Sequence, residues 1–215
     1  MPNYVPIMLD CEDRVCVVIG GGQVAERKVR ELLAGSARVT VISPLVTPNL
    51  QEYYDQGKLN WIPRKYAAGD LEGTFMVHAA SNDAGVNAAV AAEAKTKGIL
   101  ANVADQPDLG SFIHPSVLRR GRLLIAVSTS GAGPLAARAI RRKLDEDYGT
   151  EYEEYLDALY HIRKAIQQQV NNPAVRQKLL RKASGPEMFE TLRQGTSRPW
   201  SPEDIRQWIN DNQEE

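Results

Sequence analysis

The stretch from Arg14 to Arg30, R-V-C-V-V-I-G-G-G-Q-V-A-E-R-K-V-R, constrains this chain more than any other. Val15 to Ile19 is a short apolar run without alternation, the pattern of a strand covered on both faces, as in a parallel sheet. Gly20, Gly21 and Gly22 follow at once, and a helical pattern begins near Gln23. The spacing is G-x-G-x-x-A, with Ala25 in the last place. Gly20 permits a tight turn, Gly22 lets a pyrophosphate approach the backbone, and Ala25 lets the helix pack closely on the strand. Gln23 and Val24 stand in the first turn of that helix, whose open amides and positive end face any anion bound there. The competing reading is a tight turn with no ligand. Three consecutive glycines carry an entropic cost that argues against it.

Composition excludes more than it identifies. The chain has 215 residues, 43% of them hydrophobic and 25% charged, with a net charge of -1, so no global field points to nucleic acid or a membrane surface. No window approaches the ~18 apolar residues that a membrane span needs. The two cysteines, Cys11 and Cys16, fit a reduced, cytoplasmic setting, and the N-terminal residues lack the basic and long apolar regions of a signal peptide.

Strand and helix patterns alternate through the first half. Val5 to Asp10 reads as an apolar lead-in packed against the sheet edge. A first helix runs from Val24 to Leu33, with Val24, Ala25, Lys28, Val29, Leu32 and Leu33 on one face. Strands are expected at Arg38–Ser43, Leu59–Pro63, Thr74–Ala80 and Ile99–Ala104. Helices are expected at Thr47–Gln56, capped by Thr47 and opened by Pro48, and at Ala84–Lys97. This alternation predicts a parallel sheet of Rossmann order 3-2-1-4-5. Pro115 to Arg120 reads as a helical stretch and Arg122 to Ser128 as a further strand. Ser128–Pro134 is a second small-residue turn leading into a helix over Leu135–Asp145. The remainder is helical. The expected fold class is therefore α/β: a Rossmann-type domain over residues 1–112, a small α+β module over 113–148 and a helical C-terminal domain over 149–215.

The strand ends supply the other candidates. Ser43, Pro44 and Leu45 stand where many NAD sites carry an acidic residue for the adenine ribose. A serine there can still bond a ribose hydroxyl, and no adjacent arginine attracts a 2′-phosphate, which favours NAD over NADP. Ala80, Ser81 and Asn102, at or near the ends of the fourth and fifth strands, complete the cofactor set. Asp105 ends the fifth strand, where a carboxylate can take a proton from a substrate. The plainer alternative is that it shapes the A-D-Q-P-D turn with Asp108.

Of the three histidines, His78 falls mid-strand and reads as a satisfied core residue, His161 lies on a tail helix, and His114 is the one placed to face a cleft. None has a partner at metal-ligand spacing, so no dedicated metal site is expected. The Ser128–Gly133 turn repeats the logic of the first, and Arg138 follows in the first turn of its helix. Together they form a candidate site for an anionic substrate.

The order of these runs resembles a known family. V-V-I-G-G-G-Q-V-A-E-R-K, R-V-T-V-I-S-P, H-A-A-S-N-D-A-G-V-N, I-L-A-N-V-A-D and F-I-H-P-S…V-S-T-S-G-A-G-P-L-A-A-R-A-I-R are similar to those of the precorrin-2 dehydrogenase and sirohydrochlorin ferrochelatase family, the N-terminal part of siroheme synthases. The resemblance covers about residues 5 to 145. It implies NAD-dependent dehydrogenation of precorrin-2 to sirohydrochlorin, with ferrous iron insertion as a further activity of some members. It also implies a homodimer joined through the middle module, and a tetrapyrrole substrate whose carboxylates suit the basic residues there.

Under the resemblance Gln23, Val24, Ser43 and Pro44 match NAD contacts, Asp105 the acidic residue implicated in catalysis, and Ser128 a serine near the substrate. Where fused members carry a serine before the proline, this chain has Gly133, so nothing tied to that serine carries over. Two other readings stay open: a chelatase in which iron insertion dominates, and a non-enzymatic nicotinamide sensor. The near-neutral chain shows no basic helix-turn-helix for a DNA-binding version of the sensor.

Overall fold

A computed structural model describes residues 4–194 and 200–213. The chain divides into two compact units, Met1–His114 and Pro115–Glu215.

The first unit is built on β1 (Val15–Ile19), β2 (Arg38–Ile42), β3 (Asn60–Ile62), β4 (Met76–Ala79) and β5 (Leu100–Val103), all parallel, in the order β3-β2-β1-β4-β5. That is the order predicted from the alternation. The helices are α1 (Gln23–Ala34), α2 (Pro48–Asp55) and α3 (Ala84–Lys97), and a 3-10 turn spans Pro107–Leu109.

Both faces of β1 are covered. Cys16 and Val18 pack with Ala25, Val29 and Leu32 of α1 and with Leu50 of α2, while Val17 and Ile19 pack with Val90, Ala91 and Ala94 of α3. This explains the unbroken apolar run. The alanines of α3 let it lie close to the sheet. Asp83 caps the helix by accepting from the Gly85 and Val86 amides at 2.9 and 3.2 Å, and Gly98 ends it at φ 68°.

Three expectations change here. The lead-in does not pack against the sheet: it forms neither strand nor helix, and Val5, Ile7 and Met8 are 79%, 69% and 70% exposed. Pro6 lacks the N–H that an edge strand would need to pair. Val24 does not join the buried face of α1, whose buried residues are Ala25, Lys28, Val29 and Leu32. Pro115–Arg120 is not helical.

In the second unit Ser116–Arg120 is β6, paired antiparallel with β7 (Leu123–Val127), and Arg120 faces Leu123. The two intervening residues make a tight hairpin, with Gly121 at φ 50°, a conformation that glycine adopts without strain. Among the described residues, four of the five helices, α5 (Glu151–Gln169), α6 (Pro173–Ala183), α7 (Pro186–Gln194) and α8 (Pro202–Gln213), share one core, while α4 (Pro134–Asp147) packs on the hairpin. That core holds Ile162, Ile166, Val170, Leu179, Ala183, Met188, Ile205 and Ile209. The hairpin is tied to it as well. Arg122 donates to Asp157 at 2.9 Å and lies 3.6 Å over the Tyr160 ring, and Arg120 pairs with Asp145 of α4.

Candidate cofactor site

The three glycines have different neighbours. Gly20 stands at φ 117°, and a Cβ there would lie 2.3 Å from the Ala80 carbonyl oxygen. A Cβ on Gly21 would lie 1.9 Å from the Leu45 carbonyl oxygen, and the Gly21 carbonyl accepts from Thr47 N–H at 2.9 Å. These two positions let the ends of β4 and β2 close onto the turn. Gly22 is the opposite case. Its backbone is extended, and a Cβ there would meet nothing within 4 Å.

Gly22 also caps α1 without any side-chain hydrogen bond, and the helical ladder begins with Glu26 N–H donating to Gly22 O at 2.9 Å. The N–H groups of Gln23, Val24 and Ala25 therefore precede the ladder and open onto the space beside Gly22. A dinucleotide pyrophosphate fits this cradle in shape and sign. The one first-turn acid, Glu26, is drawn to α2. It accepts from Thr47 Oγ1 at 2.7 Å and Asn49 Nδ2 at 2.9 Å, bonds that hold its carboxyl below the usual carboxylate range.

Ser43 is buried, and its hydroxyl donates to Leu45 O at 2.7 Å while its carbonyl accepts from the Trp61 indole at 2.9 Å. The hydroxyl proton expected to reach a ribose is spent fixing the loop that presses on Gly21. Pro44 and Leu45 are exposed, Leu45 by 80%, leaving an apolar side chain at the rim of the glycine turn.

Ser81 and Asp105 are brought together by a residue the sequence reading did not single out. Asn87 of α3 has no solvent exposure. Its Oδ1 accepts from Ser81 N–H at 3.1 Å, and its Nδ2 donates to Ser81 O and to Asp105 Oδ1, both at 3.0 Å. Asp105 itself is exposed beyond the end of β5, and its carboxylate reaches across to α3. A polar residue on the buried face of an alanine-rich helix was the one available sign of this network.

Asn102 does not join that group. Its side chain is committed to His78, with Oδ1 3.4 Å from Nδ1, and to Phe112 O, which accepts from Nδ2 at 3.2 Å. His78 is only half satisfied: its Nε2 is buried without a partner, and burial pushes its pKa down to about 3. The His114 ring lies 5.0 Å from that of His78, and burial, with Lys28 and Arg27 nearby, lowers its pKa to about 4. Its Nδ1 stands 3.3 Å from Glu31 Oε2. A neutral imidazole makes this a hydrogen bond to a carboxylate rather than an ion pair at neutral pH. Lys28, 5% exposed, completes the cluster, its pKa brought down to about 8 chiefly by burial. His114 thus stands at the edge of a polar cluster with His78, Lys28 and Glu31, and is itself exposed.

Ser128 and Arg138 lie in the second unit, and both are exposed. Ser128 Oγ accepts from Ser130 N–H at 3.2 Å, and Thr129 Oγ1 bonds both the carbonyl and the N–H of Gly133, at 3.2 and 3.3 Å.

A parallel sheet of this order, with an uncapped helix N-terminus beside an open glycine, defines a dinucleotide-binding protein of the Rossmann class. Comparison with known proteins narrows this. Residues 7–116 match the family described as "Putative NAD(P)-binding", and residues 120–146 match "Sirohaem biosynthesis protein central". The chain belongs to this NAD(P)-binding family of siroheme biosynthesis, as the resemblance in its motifs implied.

It is 35% identical over 183 residues to siroheme synthase 1 of Serratia proteamaculans (strain 568), a match covering 85% of this chain and 38% of that protein. It is 40% identical over 143 residues to the siroheme synthase of Chromobacterium violaceum, covering 66% of this chain and 30% of that one. The chain thus spans less than two fifths of the length of these relatives. The solved structure of "SirC, precorrin-2 dehydrogenase" superposes with a TM-score of 0.79 at 27% identity, covering 99% of this chain and 100% of that one.

Proposed function

We propose that the chain is an NAD-dependent dehydrogenase that converts precorrin-2 to sirohydrochlorin. The observation that carries this is the pairing, on one edge of the parallel sheet, of the open α1 N-terminus at Gly22 with the exposed Asp105 carboxylate. The name of the SirC structure supplies the substrate. When bound, NAD takes up a hydride at its nicotinamide, so the substrate gives up two electrons and one proton remains to be removed.

The chain's own residues account for the rest. The amides of Gln23, Val24 and Ala25 hold the pyrophosphate, and Ser81 and the rim around Pro44 and Leu45 bound the cofactor. Asp105 accepts the proton. In the second unit, exposed Arg138 and the Ser128 turn suit a carboxylate of the tetrapyrrole. We further infer a homodimer through β6 and α4, supported by the exposure of Val117, Leu135 and Ile140 at 43%, 77% and 47%.

Replacing Asp105 by Asn preserves shape and removes basicity. The Asp105→Asn protein is expected to fold and bind NAD normally while losing ~10²–10⁴-fold in turnover of precorrin-2, read by NADH absorbance. Near-normal turnover would return Asp105 to a turn residue, with the proton leaving to water.

A further inference from the structure

We propose that Asn87 is a positioning residue for this reaction, setting the Asp105 carboxylate and the Ser81 backbone in fixed relation at the carboxyl edge of the sheet. The inference rests on the reading of Asp105 as the base.

A buried amide with unmet hydrogen bonds is strongly disfavoured, and Asn87, with no exposure, meets its needs in one arrangement only. Both Nδ2 hydrogens are used, one on Ser81 O and one on Asp105 Oδ1, and Oδ1 accepts from Ser81 N–H. A flipped amide would set its oxygen against the Ser81 carbonyl and the Asp105 carboxylate, so the orientation is determined.

A purely structural account explains less. Asp83 already caps α3 through the Gly85 and Val86 amides, so the helix does not need Asn87 to begin. The two Ser81 bonds would suffice to hold the β4–α3 loop. The third bond crosses to the residue after β5, and it fixes one oxygen of an otherwise exposed side chain. Among the described residues nothing bonds Asp105 Oδ2, which leaves that oxygen as the proton acceptor.

Because Ser81 closes the cofactor side and Asp105 the substrate side, one amide sets the distance between the two. A carboxylate free to rotate would spend much of its time misplaced, and a misplacement of about 1 Å can lower a rate by about 100-fold.

The test is a double-mutant cycle on turnover, using Asn87→Ala, Asp105→Asn and the pair in the full chain, with melting temperature and NAD affinity measured on each. Asn87→Ala should lower kcat about 10–100-fold, and it should change KM for precorrin-2 by less than about threefold, since ground-state binding is untouched. In the Asp105→Asn background the same substitution should lower kcat by less than about threefold, because the group it acts through is already gone. An equal loss in both backgrounds, or unchanged kcat in the single variant, overturns the proposal.

Should Asn87→Ala fail to fold, Asn87→Ser is run through the same cycle. It keeps a hydroxyl beside Ser81 and is one atom too short to hold Asp105. If Asp105→Asn alone keeps normal turnover, the reading of Asp105 falls and takes this one with it. If Asp105→Asn is inactive and the cycle is additive, only the role of Asn87 falls.

Discussion

The two small-residue turns look alike in sequence and are built on opposite principles. Each follows a strand and opens a helix, and each helix begins without a side-chain cap: Gly22 before α1 and Gly133 before α4. The first turn is closed from outside. Its carbonyl and Cα positions are gripped by the ends of neighbouring strands, through Ala80 at Gly20 and through Leu45 and Thr47 at Gly21. With the turn held by others, its leading amides stay open. The second turn closes on itself. Ser128 and Thr129 use their hydroxyls on the backbone of Ser130 and Gly133, and Ser130 and Gly131 take positive φ values of 49° and 87°. A turn that satisfies its own backbone has less left to offer an anion. Under the proposed function, the exposed Arg138 is then expected to matter more for substrate binding in that unit than the turn does.

Substitutions at the glycines should break this comparison most sharply. Gly21→Ala forces a Cβ against the Leu45 carbonyl, so it should cost several °C in melting temperature or abolish folding. In Gly22→Asp the Cβ meets nothing within 4 Å and the backbone is not unusual, so it should melt within about 2 °C of the parent. It should nonetheless lose NAD affinity by 100-fold or more, because a carboxylate stands where the pyrophosphate binds. Calorimetric titration of a folded Gly22→Asp protein with unchanged affinity would make the turn purely structural. A smaller effect is expected in the second turn. Thr129→Val deletes both bonds to Gly133, at about 1–2 kcal/mol in all, and should lower the melting temperature by roughly 3–6 °C. NAD affinity should stay the same. Equal damage to NAD binding would mean that the two turns are not independent.

Much of the first unit was legible because its signals are local. The unbroken apolar run of β1, the cap at Thr47 and the alternation with helices lead to the strand order without long-range information. The hairpin at β6 was misread because Ser116–Arg120 is short, and only Leu118 is buried there, giving no period to read. The lead-in was misread because apolarity was taken for burial. The glycine turn after β1 and the place of Asp105 just beyond β5 were legible, because both follow directly from position on the sheet. It was not legible at Asn87, whose partner lies 18 residues away, nor at Asn102 and Ser43, whose polar atoms are taken by Phe112 O, 10 residues on, and by the Leu45 carbonyl. Distance along the chain hides the Asn87 and Asn102 pairings, whereas the Ser43 bond is local and is set by the conformation of the loop after β2.

The cluster beneath α1 makes folding a proton-releasing event. In the unfolded chain His78 and His114 titrate near 6.5, whereas in the folded unit their values fall to about 3 and about 4. At pH 5 the unfolded chain therefore carries nearly two protons that the folded one has expelled. Both folded values are depressed, so the associated stability is full above pH 6.5 and is lost as the pH falls toward 4 and then 3. The slope is at most roughly 1.4 kcal/mol per pH unit for buried His78, and solvent screening makes it smaller for exposed His114. Unfolding at pH 5 should take up between about one and two protons, seen as a dependence of the calorimetric enthalpy on the ionisation heat of the buffer. His78→Leu should remove about half of that uptake and flatten the acid side of the melting curve. An uptake near zero in the parent protein would mean that the imidazoles are charged in place, and that Glu31 holds His114 as an ion pair. The folded imidazoles thus resist protonation down to the carboxylate range, and acid acts on them first through the unfolded chain, which binds the protons that the folded unit refuses.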